Sequence, residues 1–145
     1  MIIQIKEKDE NLLKTLFEIW QSSVRASHHF ISQNDLQAIA KEIPSYLLNV
    51  EKLYIYKKES QILAFAGTNQ NCLEMLFVGA NMFGKGIGKA LLNFCMQKGV
   101  NELAVNEANT KALQFYQNMG FKISKRSEKD TQGRNYPLLF MKLEK

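Results

Sequence analysis

The stretch Cys72-Leu73-Glu74-Met75-Leu76-Phe77-Val78, followed by Gly79-Ala80-Asn81-Met82-Phe83 and then by Gly84-Lys85-Gly86-Ile87-Gly88-Lys89, decides how this sequence is read. Only Glu74 interrupts the first run, which therefore reads as a central strand covered on both faces. Beyond the glycines, Ile87, Leu91, Leu92 and Cys95 recur at helical spacing as far as Lys98, and Gly99 supplies the stop. A buried strand that hands over to a helix through closely spaced glycines is an arrangement for holding an anion. Glycine lets several backbone N–H groups converge, the helix N-terminus adds partial positive charge, and Lys85 and Lys89 add full charges, so the natural guest is a phosphate or pyrophosphate. A Gly-rich turn that merely tightens the strand-to-helix connection is the alternative. Gly79, Gly84 and Lys85 match the Walker spacing, but Gly86 stands where Ser or Thr would hold magnesium. The dinucleotide pattern needs a glycine at the place of Lys89, so neither an ATPase nor a nicotinamide enzyme is supported.

Working outward, residues 2–6 alternate as a short strand. Asp9 caps a helix carrying Leu12, Leu13, Leu16, Phe17, Trp20 and Val24 that ends near Arg25. Ser32 and Asp35 resemble a capping box opening a second helix, with Leu36, Ile39, Ala40 and Ile43 on one side and Pro44 as its expected stop. A polar link leads to two β-rich runs, residues 53–57 and 62–67, joined as a hairpin through residues 58–61. After the central strand and its helix, residues 102–105 form a strand, Asn109 caps a helix to about Met119, Gly120 ends it, and residues 121–124 begin another strand. Residues 125–135 read as a polar, turn-bearing stretch and residues 136–143 as the closing strand. The order β-α-α-β-β-β-α-β-α-β-β predicts an α+β fold: a mixed sheet of about seven strands, flanked by about four helices, with a βαβ unit at its centre. No repeat or linker interrupts it, so residues 1–145 are expected to be one domain.

The chain's 145 residues, 46% hydrophobic, are enough to bury a core without metal or disulfides. Cys72 and Cys95 lie in apolar surroundings with no CxxC pair, which excludes a zinc ribbon and a disulfide framework and points to the cytoplasm. No apolar run approaches the ~20 residues of a membrane span, and the N-terminus is too short and interrupted for a signal peptide. The charge of +5, from 19 Lys and Arg against 14 Asp and Glu, is scattered. Its densest basic stretch, residues 122–134, is broken by Glu128 and Asp130. A solvated basic surface or an anionic small ligand accounts for it, and no nucleic-acid signature accompanies it.

A second constellation follows the loop. Offsets of three and four put Asn109, Ala112 and Tyr116 on one helical face, polar at its ends and small in its middle, before Gly120 and Phe121. Together, Phe83-Gly84-Lys85-Gly86-Ile87-Gly88 and this series resemble the two signatures of the GNAT acyltransferase superfamily, Gln/Arg-x-x-Gly-x-Gly/Ala and Asn-x-x-Ala-x-x-x-Tyr-x-x-x-Gly-Phe. Every specified position matches except Phe83, which stands where the family carries Gln or Arg.

The resemblance implies a mixed sheet splayed between its fourth and fifth strands, and direct acetyl transfer from acetyl-CoA to a primary amine of a small molecule, peptide or protein. It places the pyrophosphate on Gly84, Lys85, Gly86, Ile87, Gly88 and Lys89, and the acetyl-pantetheine arm beside the amides of Leu76, Phe77 and Val78 and along Asn109, Ala112 and Tyr116. One amide of that strand would polarise the acetyl carbonyl. Tyr116 is then the candidate general acid for the leaving thiolate, and Glu74 the candidate base, with Glu107 or water as alternatives. The segment Trp20-Gln21-Ser22-Ser23-Val24-Arg25-Ala26-Ser27-His28-His29-Phe30-Ile31, where the family largely decides its acceptor, resembles a bacterial branch of the family carrying Ser-Val-x-x-Thr/Ser-His-x-Phe-Leu at this place. There His28 and His29 either bind the acceptor or cap the helix end. No metal is implied, the partners are acetyl-CoA and an amine acceptor without nucleic acid or membrane, and the expected state is monomer or homodimer. A non-catalytic acyl-CoA-binding domain is the rival reading.

Overall fold

The structure, a computed structural model, describes residues 1–143. The helices Glu10–Ser27 (α1) and Gln33–Asn49 (α2) open where the sequence predicts, because Asp9 accepts the N–H of Leu12 and Ser32 that of Asp35. The helix Ile87–Gln97 (α3) starts after Gly86 with no side-chain cap, whereas Thr110–Asn118 (α4) is capped by Asn109 on the N–H of Ala112. The strands Ile2–Gln4 (β1), Lys52–Lys58 (β2), Gln61–Asn69 (β3), Cys72–Val78 (β4), Glu102–Asn106 (β5), Phe121–Ser127 (β6) and Leu138–Leu143 (β7) form one sheet in the order β1-β2-β3-β4-β5-β7-β6. Every pair is antiparallel except β4 with β5, the two strands joined through α3.

The sheet separates two apolar clusters. On one side Leu16, Trp20, Ile43, Leu47, Leu53 and Phe65 lie under α1 and α2, so Trp20 is a core residue at 3% exposure. On the other, Leu91, Leu92, Leu103, Phe121 and Met141 lie under α3 and α4. Strand β4 serves both, with Met75 in the first cluster and Leu73 in the second.

Pro44 does not stop its helix. Burial of Ile43 and Leu47, 5% and 0% exposed, contributes roughly 1.5–3 kcal/mol each, against about 3 kcal/mol for an interior proline. The inner face therefore carries the last turns past an exposed Pro44, and the expected polar link contributes residues 45–49 to α2. Likewise Lys125, Arg126 and Ser127 extend β6 instead of forming a turn, because β7 offers them partners: Lys125 with Phe140, Arg126 with Leu139 and Ser127 with Leu138. Strand β7 in turn begins at Leu138 rather than Tyr136, since the Tyr136 side chain is engaged on α2.

Two features of β4 open the sheet. It shares only two residue pairs with β5, Cys72 with Glu102 and Leu73 with Leu103. Against β3, Met75 faces Gly67 and Leu73 faces Thr68, so Glu74 is an extra, unopposed residue. Such a bulge increases the local twist, and beyond it β4 stays with β3 while its other edge leaves β5.

Truncating Leu47 to alanine is expected to lower the unfolding free energy by about 2–5 kcal/mol, and Ser32→Ala by about 1 kcal/mol, as read from urea denaturation midpoints. A loss at Leu47 no larger than that at Ser32 would show that α2 beyond Pro44 is not held by its buried face.

Candidate active site

A cavity of about 770 Å³ lies where β4 and β5 part, and it gathers most of the residues singled out in the sequence. Its donor end is built from the β4–α3 loop. Gly84 and Gly86 have φ of +77° and +81°, left-handed conformations that glycine adopts without strain, and a Cβ at either would project into open space. Alternating such residues turns successive N–H groups to one side. Because α3 has no side-chain cap, its first N–H groups add to that concave surface, together with the positive end of the helix dipole. Lys89 lines the same end, Ile87 is buried and offers only its backbone, and Gly88 lies where a Cβ would just touch Val78 (3.6 Å) and Phe115 (3.9 Å). Lys85 is exposed and outside the lining. This surface fits the pyrophosphate of acetyl-CoA: donors are provided by backbone, and the Cβ-free positions leave the volume open.

From there the cavity runs inward between the free edge of β4, at Leu76, Phe77 and Val78, and the face of α4 carrying Asn109, Ala112 and Tyr116. Ala112 keeps the passage open for a narrow arm. The Tyr116 ring rests edge-on against Phe121 at 6.2 Å and tilted against Phe115 at 5.2 Å, so its position is fixed by packing. Burial, and secondarily the Cys95 thiol, raise its pKa well above the ordinary phenol value and keep its hydroxyl protonated.

The opposite end of the cavity is formed by α1, the bulge and α4. His28 bridges them. Asn109 commits Oδ1 to the Ala112 N–H at 3.2 Å, so its Nδ2 donates to His28 Nε2 at 3.4 Å. Ser27 donates its hydroxyl hydrogen to the Ser23 carbonyl at 2.7 Å and accepts from His28 Nδ1 at 2.8 Å. Those partners assign the neutral tautomer protonated on Nδ1. Burial, and then the neighbouring His29, lower the His28 pKa in agreement. His29 is exposed, bonds the Ala26 carbonyl at 3.1 Å, and does not line the cavity.

The two candidate carboxylates separate as well. Glu74, exposed on its bulge, faces the cavity. Glu107 lies outside the lining, held by both guanidinium contacts of Arg126 at 2.6 and 3.0 Å, which keep its carboxyl below the usual range. The β6–β7 connection is fastened to α2: Tyr136 donates to Asp35 at 2.5 Å, Arg134 pairs with Glu42 at 2.7 Å, and Gln132 donates to Tyr46 at 2.8 Å.

Ser23, Ser27, Asn106 and Lys111 also line the cavity and were not singled out in the sequence. Ser23 and Ser27, four apart at the end of an otherwise apolar helix face, carried a readable signal. Phe83 lines it too, although its identity suggested only a missing charge. Among the described residues no group of three His, Cys, Asp or Glu side chains is placed to hold a metal. None of their helices is long and apolar enough to cross a membrane.

Comparison with known proteins agrees with this geometry. The chain is 34% identical over 141 residues to the peptidyl-lysine N-acetyltransferase YjaB of Salmonella typhimurium, covering 96% of this chain and 97% of that one. The solution structure of apo-form YjaB from Escherichia coli superposes with a TM-score of 0.86 at 28% identity, over 98% of this chain and 97% of that one. A crystal structure of the PaiA N-acetyltransferase from Thermoplasma acidophilum in complex with coenzyme A shares the fold, with a TM-score of 0.65 at 21% identity and coverage of 100% and 99%. Residues 8–145 match the family described as the acetyltransferase (GNAT) domain, and with both signatures folded into one cavity the chain belongs to that family, as an acetyl-CoA-dependent N-acetyltransferase.

Proposed function

We propose that this enzyme acetylates lysine side chains of peptides or proteins. The observation that carries the reading is Glu74, a carboxylate set by a β-bulge into the acceptor end of the cavity, where it attracts a long unbranched ammonium group. The peptidyl-lysine acetyltransferases to which the chain is similar along nearly their whole length support it. The enzyme works as a single domain over residues 1–145, in the cytoplasm, as monomer or homodimer, without a nucleic-acid or membrane partner.

Acetyl-CoA supplies an activated thioester, and the chain's own residues do the rest. The amides of residues 84–89 hold the phosphates, with Lys85 and Lys89 adding charge. The free edge of β4 at Leu76, Phe77 and Val78 aligns the acyl arm and directs an N–H at the carbonyl oxygen, where negative charge develops. Glu74 draws in the lysine ammonium and accepts its proton, directly or through water, leaving a neutral amine to attack. Tyr116 delivers a proton to the departing sulfur and is reprotonated, through water, by the second proton that the nitrogen of the tetrahedral adduct sheds as the amide forms; its raised pKa keeps the hydroxyl protonated at neutral pH. His28 holds Asn109 and with it the start of α4, so the helix bearing Tyr116 stays registered against α1.

The reading is tested by incubating the enzyme with acetyl-CoA and lysine-containing peptides whose N-termini are blocked, following thiol release and locating the acetyl group by mass spectrometry. Acetylation of small amines but of no peptide would overturn the lysine assignment. Tyr116→Phe is expected to lower kcat about 10²-fold with acetyl-CoA affinity unchanged by calorimetry. An unchanged kcat would make Tyr116 a packing residue, and a collapsed affinity a cofactor anchor. Glu74→Gln is expected to lower kcat by about 10²-fold without altering acetyl-CoA affinity, whereas Glu107→Gln leaves turnover near the parent's; the reverse ranking would move the base to Glu107.

The His28 bridge predicts a pH dependence. The neutral ring is favoured in the folded state, while in the unfolded chain it takes a proton at about pH 6.5. The stability it supports is therefore present above that pH and is lost as pH falls through the lower folded value. The parent's Tm should drop on acidification below that point, and His28→Gln should show a shallower drop. Equal slopes would remove His28 from the balance.

A further inference from the structure

Phe83 is 44% exposed at the mouth of the cavity, immediately before the first glycine of the nest. Among the described residues no other ring packs on it within the aromatic contacts of the fold. It is nevertheless presented on a fixed support. It ends the short 3-10 turn Ala80–Met82 in extended conformation, the Met82 N–H is bonded to the Gly79 carbonyl at 2.8 Å, and the Ala80 N–H to the Ser22 hydroxyl at 3.2 Å on α1. A rigidly placed, solvent-facing aromatic face is unfavourable in water unless something apolar and flat covers it.

The donor provides such a group. Its acyl arm runs inward from the nest along β4, so its nucleoside leaves the nest on the opposite, outer side. Phe83 directly precedes Gly84 and lines the cavity beside it, so its ring borders the nest from which the nucleoside departs one ribose away. Lys85 and Lys89, both exposed and two and six residues after Phe83, carry positive charge available to the remaining phosphate. We propose that the Phe83 ring stacks on the purine of coenzyme A, so that this chain holds the outer half of its donor by base stacking at a position where a cationic side chain would grip phosphate. The proposal rests on the pyrophosphate lying in the nest of residues 84–88. Removing an aromatic that stacks on a base typically weakens binding by roughly 5- to 100-fold, and a half-exposed ring belongs at the lower end, about 5- to 20-fold.

Calorimetry with coenzyme A and with 4′-phosphopantetheine, which lacks the adenosine 3′,5′-bisphosphate half and keeps one phosphate for the nest, separates the possibilities. Phe83→Leu is expected to weaken coenzyme A by about 5- to 20-fold and to leave 4′-phosphopantetheine unchanged. Phe83→Trp is expected to keep the parent's affinity, and its indole emission should be quenched by coenzyme A and by adenosine 3′,5′-bisphosphate but not by 4′-phosphopantetheine. The native Trp20, 3% exposed, provides a constant background. Equal weakening of both ligands by Phe83→Leu, no weakening of either, or an indole that does not respond to adenosine 3′,5′-bisphosphate would each overturn the stack. Gly86→Val should abolish binding of both ligands; parent-like binding by that variant would refute the nest itself, a failure distinguishable from that of Phe83 alone.

Discussion

Strands β4 and β5 run side by side for only two residue pairs, Cys72 with Glu102 and Leu73 with Leu103, and the hydrogen bonds not made beyond them are what the site is built from. A buried strand edge without partners is ordinarily costly, because each unpaired N–H and C=O forfeits its bond to water. Here the edge opens on a cavity whose natural guest is itself an extended chain with amide groups. The bulge at Glu74 both starts the divergence and turns a carboxylate toward the cavity, so one extra residue in one strand sets a negative charge beside the channel along β4.

Two sets of side-chain contacts tie the elements around the opening. His28, in the cavity wall, links the C-terminus of α1 to the cap of α4. Away from the cavity, Tyr136, Arg134 and Gln132 fasten the β6–β7 connection to α2. The second set also explains why the basic stretch near the C-terminus is not a free cationic face: Arg134 is spent on Glu42, and Arg126 on Glu107.

Elements governed by local chemistry were legible in the sequence. Asp9, Ser32 and Asn109 cap helices as their side chains require, Gly99 and Gly120 end them with positive φ, and the helical offsets of Asn109, Ala112 and Tyr116 put them on one wall of the cavity. What was not legible depends on distant partners. Pro44 reads as a stop until the burial of Leu47 is known, and residues 125–127 read as a turn until β7 lies beside them. The separation of His28 from His29, and of Glu74 from Glu107, is likewise tertiary: adjacent or similar residues acquire different surroundings from α4 and from Arg126.

The sheet also divides the molecule by duty. The cluster beneath α3 and α4 supports the donor nest and Tyr116, while that beneath α1 and α2 supports His28 and the β6–β7 fastening, and few side chains belong to both. Yet the layers are not independent: β4 places Met75 in one cluster and Leu73 in the other, and Ser22 and His28 reach from α1 to the loop before the nest and to the cap of α4. A change packed into either layer therefore has a short mechanical route to the cavity between them.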